Sequence, residues 1–145
     1  MNFLQSILWY GIAYFIITLI GVLHTLFNGT VLHMEFRNEK TESLKDIEAY
    51  AKTMPFHPLY NIVIFPVFAG IYFARLTEVT LQMALLTGIL WGVITVIIDY
   101  VGWIVIPHPW RCTYKDFYVD YQPWLTIIYI TICISPLLAY LLNYL

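Results

Sequence analysis

Charge is what this chain has least of. Asp, Glu, Lys and Arg make up 11% of its 145 residues, where soluble domains carry roughly 25%, so an ordinary soluble fold is excluded. Cysteine is nearly absent. Cys112 and Cys133 are the two present and no Cys-x-x-Cys occurs, which speaks against membrane thiol-redox chemistry. The four histidines, His24, His33, His57 and His108, lack any His-x-x-x-His or Glu-x-x-His spacing. A metal site needs three or four converging ligands, so none is expected here, and no cofactor is indicated. Basic excess is missing too: seven Lys and Arg stand against nine Asp and Glu, a net charge of −2, which leaves no case for nucleic acid.

What is there is hydrophobic length. The chain is 61% hydrophobic with mean hydropathy +0.75. Four stretches, 3–27, 55–76, 79–106 and 123–145, each supply the roughly 20 apolar residues that a bilayer crossing needs. The predicted fold is an all-α integral membrane protein, a single domain over 1–145 with four transmembrane helices and no room for a soluble domain. The first stretch has no basic n-region and no small-residue cleavage site, so it reads as a span rather than a signal peptide. Loop 33–54 holds Arg37, Lys40, Lys45 and Lys52, and loop 107–122 holds Arg111 and Lys115, against Arg75 alone in the remaining link. Basic residues mark the cytoplasmic side. The expectation is a multi-pass protein of the cell membrane with both termini outside and Cys112 in a cytoplasmic loop.

Within the first loop, "TESLKDIEAYAKTM" repeats Leu44, Ile47, Ala51 and Met54 at helical spacing, and Ser43 with Asp46 resembles a capping box. This predicts a short cytoplasmic interfacial helix; a solvated charged loop fits the pattern equally. Spans 2 and 4 open alike, "FHPLY" and "YQPWL", and each carries a second proline near its middle, Pro66 and Pro136. Spans 1 and 3 share "ILWYGI" and "ILWGVI". The pattern therefore also fits two tandem helical hairpins related by an axis along the membrane normal.

Two stripes of small and polar residues break the apolar background. Span 1 carries Gly11, Tyr14, Thr18, Gly21, Thr25 and Asn28, with His24 beside them. Span 3 carries Gly88, Gly92, Thr95, Asp99 and Gly102. Small residues let helices approach closely, so the two stripes are expected to meet. A carboxylate as deep as Asp99 is costly without a partner, by about 2.5–3.5 kcal/mol on insertion scales. His24 is the first candidate partner, with Trp103 over the pair. Asp99 opens "DYVGW", and "DYQPW" repeats Asp-Tyr-x-x-Trp at Asp120, where the aspartate is expected to cap the fourth span.

The ionisable side chains gather at one end. His24, Asn28, His57, Asn61, Asp99, Trp103, His108 and Arg111 are the candidate ligand-binding residues, and Arg111 is of a kind that binds a lipid phosphate. Arg75 and Glu78, at the other end, are expected to pair. The Gly-rich signature of small fluoride channels, a glutamate embedded in span 1 as in small multidrug exporters, and the Asp-rich helix of CDP-alcohol phosphotransferases are missing, as are the His boxes of lipid desaturases. Three functions fit. One is binding or transport of a small ligand or lipid headgroup at the cytoplasmic leaflet. A second is an accessory subunit that stabilises a larger membrane complex; among partners, a homo-oligomer or such a complex fits. The third is a small membrane enzyme with histidine as base and Asp99 as its orienter.

Overall fold

The computed structural model describes residues 2–36, 46–108 and 111–144. Helix α1 (Phe3–Thr30) starts at Asn2, whose side-chain oxygen accepts from the Gln5 amide at 3.2 Å. Its 28 residues span about 42 Å at 1.5 Å per residue. Helix α2 (Glu48–Thr53) runs through a 3₁₀ turn, Met54–Phe56, into α3 (His57–Phe73). Pro58 sits in the first turn of α3, where its missing N–H leaves no bond unmade. Helix α4 (Leu81–Asp99) begins at Thr80, which caps the Met83 amide, and continues as a π-helix over Tyr100–Val105. A second π-helical segment, Asp116–Asp120, precedes α5 (Trp124–Tyr144).

The described residues are all-helical, and four helical runs are long and apolar enough to cross a membrane: Phe3–Thr30, Glu48–Phe73, Leu81–Val105 and Trp124–Tyr144. The second run begins before the predicted 55–76 because α2 leads directly into α3. Phe15, Leu19, Val63, Val67, Ile89, Val93 and Leu142 are exposed, an apolar outer surface of the kind that hydrocarbon covers and water does not.

Three hydrogen bonds join α1 to α4. Trp91 Nε1 donates to Ser6 Oγ at 3.0 Å, Tyr10 Oη pairs with Thr95 Oγ1 at 2.9 Å, and Tyr14 Oη donates to Asp99 Oδ1 at 2.6 Å. Each rung advances four residues on both helices, so α1 and α4 run parallel. Helix α3 packs on α1 and α5, and α4 packs on α5, which orders the bundle α1, α3, α5, α4. Both chain ends and the α3–α4 link lie at one end of it, the terminal end; the two longer connections lie at the other, the loop end.

The glycine stripe of α4 meets α5, not the α1 stripe as expected. A Cβ on Gly88 would lie 2.0 Å from the Cys133 carbonyl oxygen, and one on Gly92 would lie 2.3 Å from Cys133 Sγ. Gly11 has nothing within 4 Å of its own Cβ position. The physical reason is that the α1–α4 contact is made by long polar side chains, which hold the backbones apart, while the bare glycine backbone is used against α5.

The predicted interfacial helix is docked on the bundle. Ala49, Thr53 and Met54 are buried, and Asn28 of α1 donates to the Ala49 carbonyl at 3.1 Å and to Thr53 Oγ1 at 3.0 Å. Its expected cap, Ser43, and Leu44 lie outside the described residues. At mid-bundle, Tyr10, Phe65 and Trp91 interlock with ring centroids 5.7–5.9 Å apart, all at most 1% exposed.

Candidate functional site

Toward the loop end the bundle holds a cavity of about 480 Å³. Helix α1 lines it with the polar stripe read from sequence, Tyr14, Thr18, Gly21 and Thr25. Helix α3 contributes His57 and Asn61, α4 contributes Thr95 and Asp99, and α5 contributes the apolar wall of Leu125, Ile128 and Ile132. The stripe thus borders an open volume, with Tyr14 bonded to Asp99 and Thr25 Oγ1 donating to Thr53 Oγ1 at 3.2 Å on either side of it.

Asp99 is the last α-helical residue of α4 and is 5% exposed. Tyr14 donates to its Oδ1, and Tyr129 of α5 donates to its Oδ2 at 3.0 Å. Trp103 Nε1 lies 3.4 Å from Tyr14 Oη and donates to it. The carboxyl is therefore held from two helices, with an indole behind one of its donors. The expected His24 partner is not there. His24 bonds the Tyr60 hydroxyl and meets the Phe56 ring edge-on, and it does not line the cavity. Register explains the difference: Tyr14 is level with Asp99, and His24 lies ten residues further along α1, about 15 Å away at helical rise.

His57 is fixed through Nδ1, which bonds the Tyr121 hydroxyl. Tyr121 is buried with its ring centroid 6.1 Å from that of Tyr50, and burial holds its hydroxyl well above its ordinary pKa, so it stays protonated. His57 Nε2 is the one buried side-chain nitrogen or oxygen without a hydrogen-bond partner among the described residues. It points at Gly21, where a Cβ would come within 3.1 Å. Asn61 donates to the His57 carbonyl at 2.6 Å.

The other candidates stand outside the cavity lining. Asn28 ties α2 to α1. His108 Nε2 pairs with the Gly102 carbonyl at 2.9 Å, the Cys112 amide donates to the Trp103 carbonyl at 2.8 Å, and Arg111 Nε donates to the Ile104 carbonyl at 2.7 Å. The returning chain thus satisfies three successive carbonyls at the end of the π-helix, groups that a helix terminus leaves orphaned. At the opposite end Arg75 lies over the Trp9 ring, 4.8 Å from its centroid.

The two Asp-Tyr-x-x-Trp copies contribute differently. The first places Asp99 and Trp103 on the cavity; the second places Tyr121 there. The helical turn before α5 is capped by Thr113 and Asp116. Asp116 Oδ2 accepts from the Thr113 amide at 3.0 Å and from its hydroxyl at 2.7 Å, and Thr113 Oγ1 accepts from the Asp116 amide at 3.1 Å. Tyr50, Tyr121 and Tyr129 are not among the candidate residues read from the sequence. Tyr129 is the seventh residue of the span of 123–145, about 9 Å inside its end at 1.5 Å per residue, a depth like that of Asp99 in its own span, and that depth was the available signal.

Among the described residues no group of three or more His, Cys, Asp or Glu side chains converges as a metal site. The lining includes Asp99 as its single carboxyl, no Lys or Arg among the described residues, and six aromatic side chains: Tyr14, Phe36, Tyr50, Trp103, Phe117 and Tyr121. Chemically this is an acceptor at the head of an aromatic and aliphatic chamber. Compared with protein-family models, with curated proteins and with solved structures, the chain matches none.

Proposed function

We propose that this chain is a multi-pass membrane protein whose loop-end cavity binds a small, largely apolar ligand, anchored by Asp99 with Tyr14 and Tyr129. The observation that carries this reading is a cavity of about 480 Å³ built around a nearly buried carboxyl. Ligand sites of roughly 300–1,000 Å³ are mostly apolar with a few convergent polar groups, and an ionisable side chain at bilayer depth marks a functional site more often than a structural one. A seam serving only to join helices would close on its polar stripe; here the stripe of α1 borders open space. The loop end carries most of the Lys and Arg, which supports a cytoplasmic opening and both termini outside. The side-by-side hairpins, α1 with α3 and α4 with α5, support a tandem origin of the bundle.

The test is to fill the cavity. Thr18 lines it, and Thr18→Trp places an indole in the chamber. Neutral 1-decanol, added at a fixed ratio to detergent, is expected to raise the thermal midpoint of the wild-type protein and to leave that of Thr18→Trp unchanged. Equal shifts in the two proteins, or none in the wild type, overturn the assignment.

A further inference from the structure

Resting on that reading, we infer that the ligand is a lipophilic ammonium ion: one positive nitrogen on an alkyl or aryl body, with no anionic group. The inference comes from the charge and surface of the chamber. Its described lining holds one acidic side chain, Asp99, and no Lys or Arg. An anionic headgroup would meet the Asp99 carboxylate with no Lys or Arg in the described lining to offset the repulsion, in surroundings where charges are poorly screened. Arg111, the residue best suited to a phosphate by sequence, bonds the Ile104 carbonyl and does not line the cavity.

A cation suits the same place. Asp99 already accepts one tyrosine hydroxyl on each oxygen. A carboxylate offers about four lone-pair sites, so it can accept further from an ammonium N–H. The tyrosines fix the carboxyl in advance, which removes the ordering cost of binding. Tyr14, Trp103, Tyr50 and Tyr121 line the same chamber; aromatic rings attract ammonium ions, most strongly where water is excluded. The aliphatic wall of Leu125, Ile128 and Ile132 takes the body of the ligand. A neutral ligand would leave the carboxylate without a counter-charge, and so would bind more weakly than the cation of the same shape.

Three probes that share one chain and differ in the head decide the point: decylammonium, 1-decanol and decanoate, at pH 8 in a non-ionic detergent, read by thermal shift on the full-length protein. The expected order is decylammonium well above decanol, with decanoate weakest, and an apparent affinity gap between the ammonium and the alcohol of roughly tenfold or more, as charge-assisted hydrogen bonds contribute. Asp99→Asn is expected to erase that gap and leave decanol binding in place. If Asp99→Asn does not fold, the ranking of the three heads on the wild-type protein decides alone. Binding of decanol or decanoate as tight as that of decylammonium overturns the ammonium assignment and leaves the cavity reading standing. If no probe binds, both fall.

Discussion

At the scale of single residues, the arrangement around Asp99 turns on one hydroxyl. Tyr14 donates to Asp99 and accepts from Trp103, so Tyr14→Phe removes both bonds and leaves a buried acceptor short of a donor. That asymmetry costs about 1–3 kcal/mol. Chemical unfolding in detergent should show it, with Tyr100→Phe as the comparison, because Tyr100 is 47% exposed. Similar midpoints for the two variants would mean that the Tyr14 bond contributes little. Asp99 itself was legible in the sequence, since a carboxyl deep in an apolar run stands out by composition. Its partners were not. The pairing depends on how far α1 has slid along α4, and nothing in either helix alone encodes that offset. His57 illustrates the same limit: its position at the start of a span was readable, but not that Tyr121, across the bundle, would hold its Nδ1.

At the scale of elements, the Gly88-x-x-x-Gly92 spacing correctly announced a close helix contact and said nothing about the partner, because a bare backbone fits any small surface equally well. The structure assigns it to α5 through Cys133. Gly88→Ala drives a methyl group into a backbone carbonyl that cannot turn aside, and should destabilise the protein by overpacking, about 1–3 kcal/mol. Gly11→Ala enters open space and should be neutral or stabilise slightly, since alanine favours helix over glycine by up to about 1 kcal/mol. Gly92→Ala meets only the Cys133 sulfur, so adding Cys133→Ala should restore what the first change removes. A double-mutant cycle on unfolding free energies reads this coupling; strict additivity would place the contact elsewhere. The π-helical stretch after Asp99 had no sequence signature that we recognise, because the carbonyls it frees are met by residues that follow several positions later.

For the whole molecule, the four spans were readable because hydrocarbon thickness sets the length of an apolar run directly. The cavity was not, since it is a volume that side chains leave unfilled. Orientation can be tested with single cysteines at exposed sites, Lys115→Cys and Glu78→Cys, in a background with Cys112 and Cys133 replaced. Native Cys112 is unsuitable because it is 6% exposed. In sealed cells a membrane-impermeant thiol reagent should label position 78 and spare position 115; the reverse pattern would invert the topology. Finally, the rings of Tyr10, Phe65 and Trp91 interlock one to two helical turns from the Asp99 level, each at most 1% exposed. If the chamber holds a ligand as proposed, that layer is the floor its body would rest against, and trimming Trp91 would deepen the chamber.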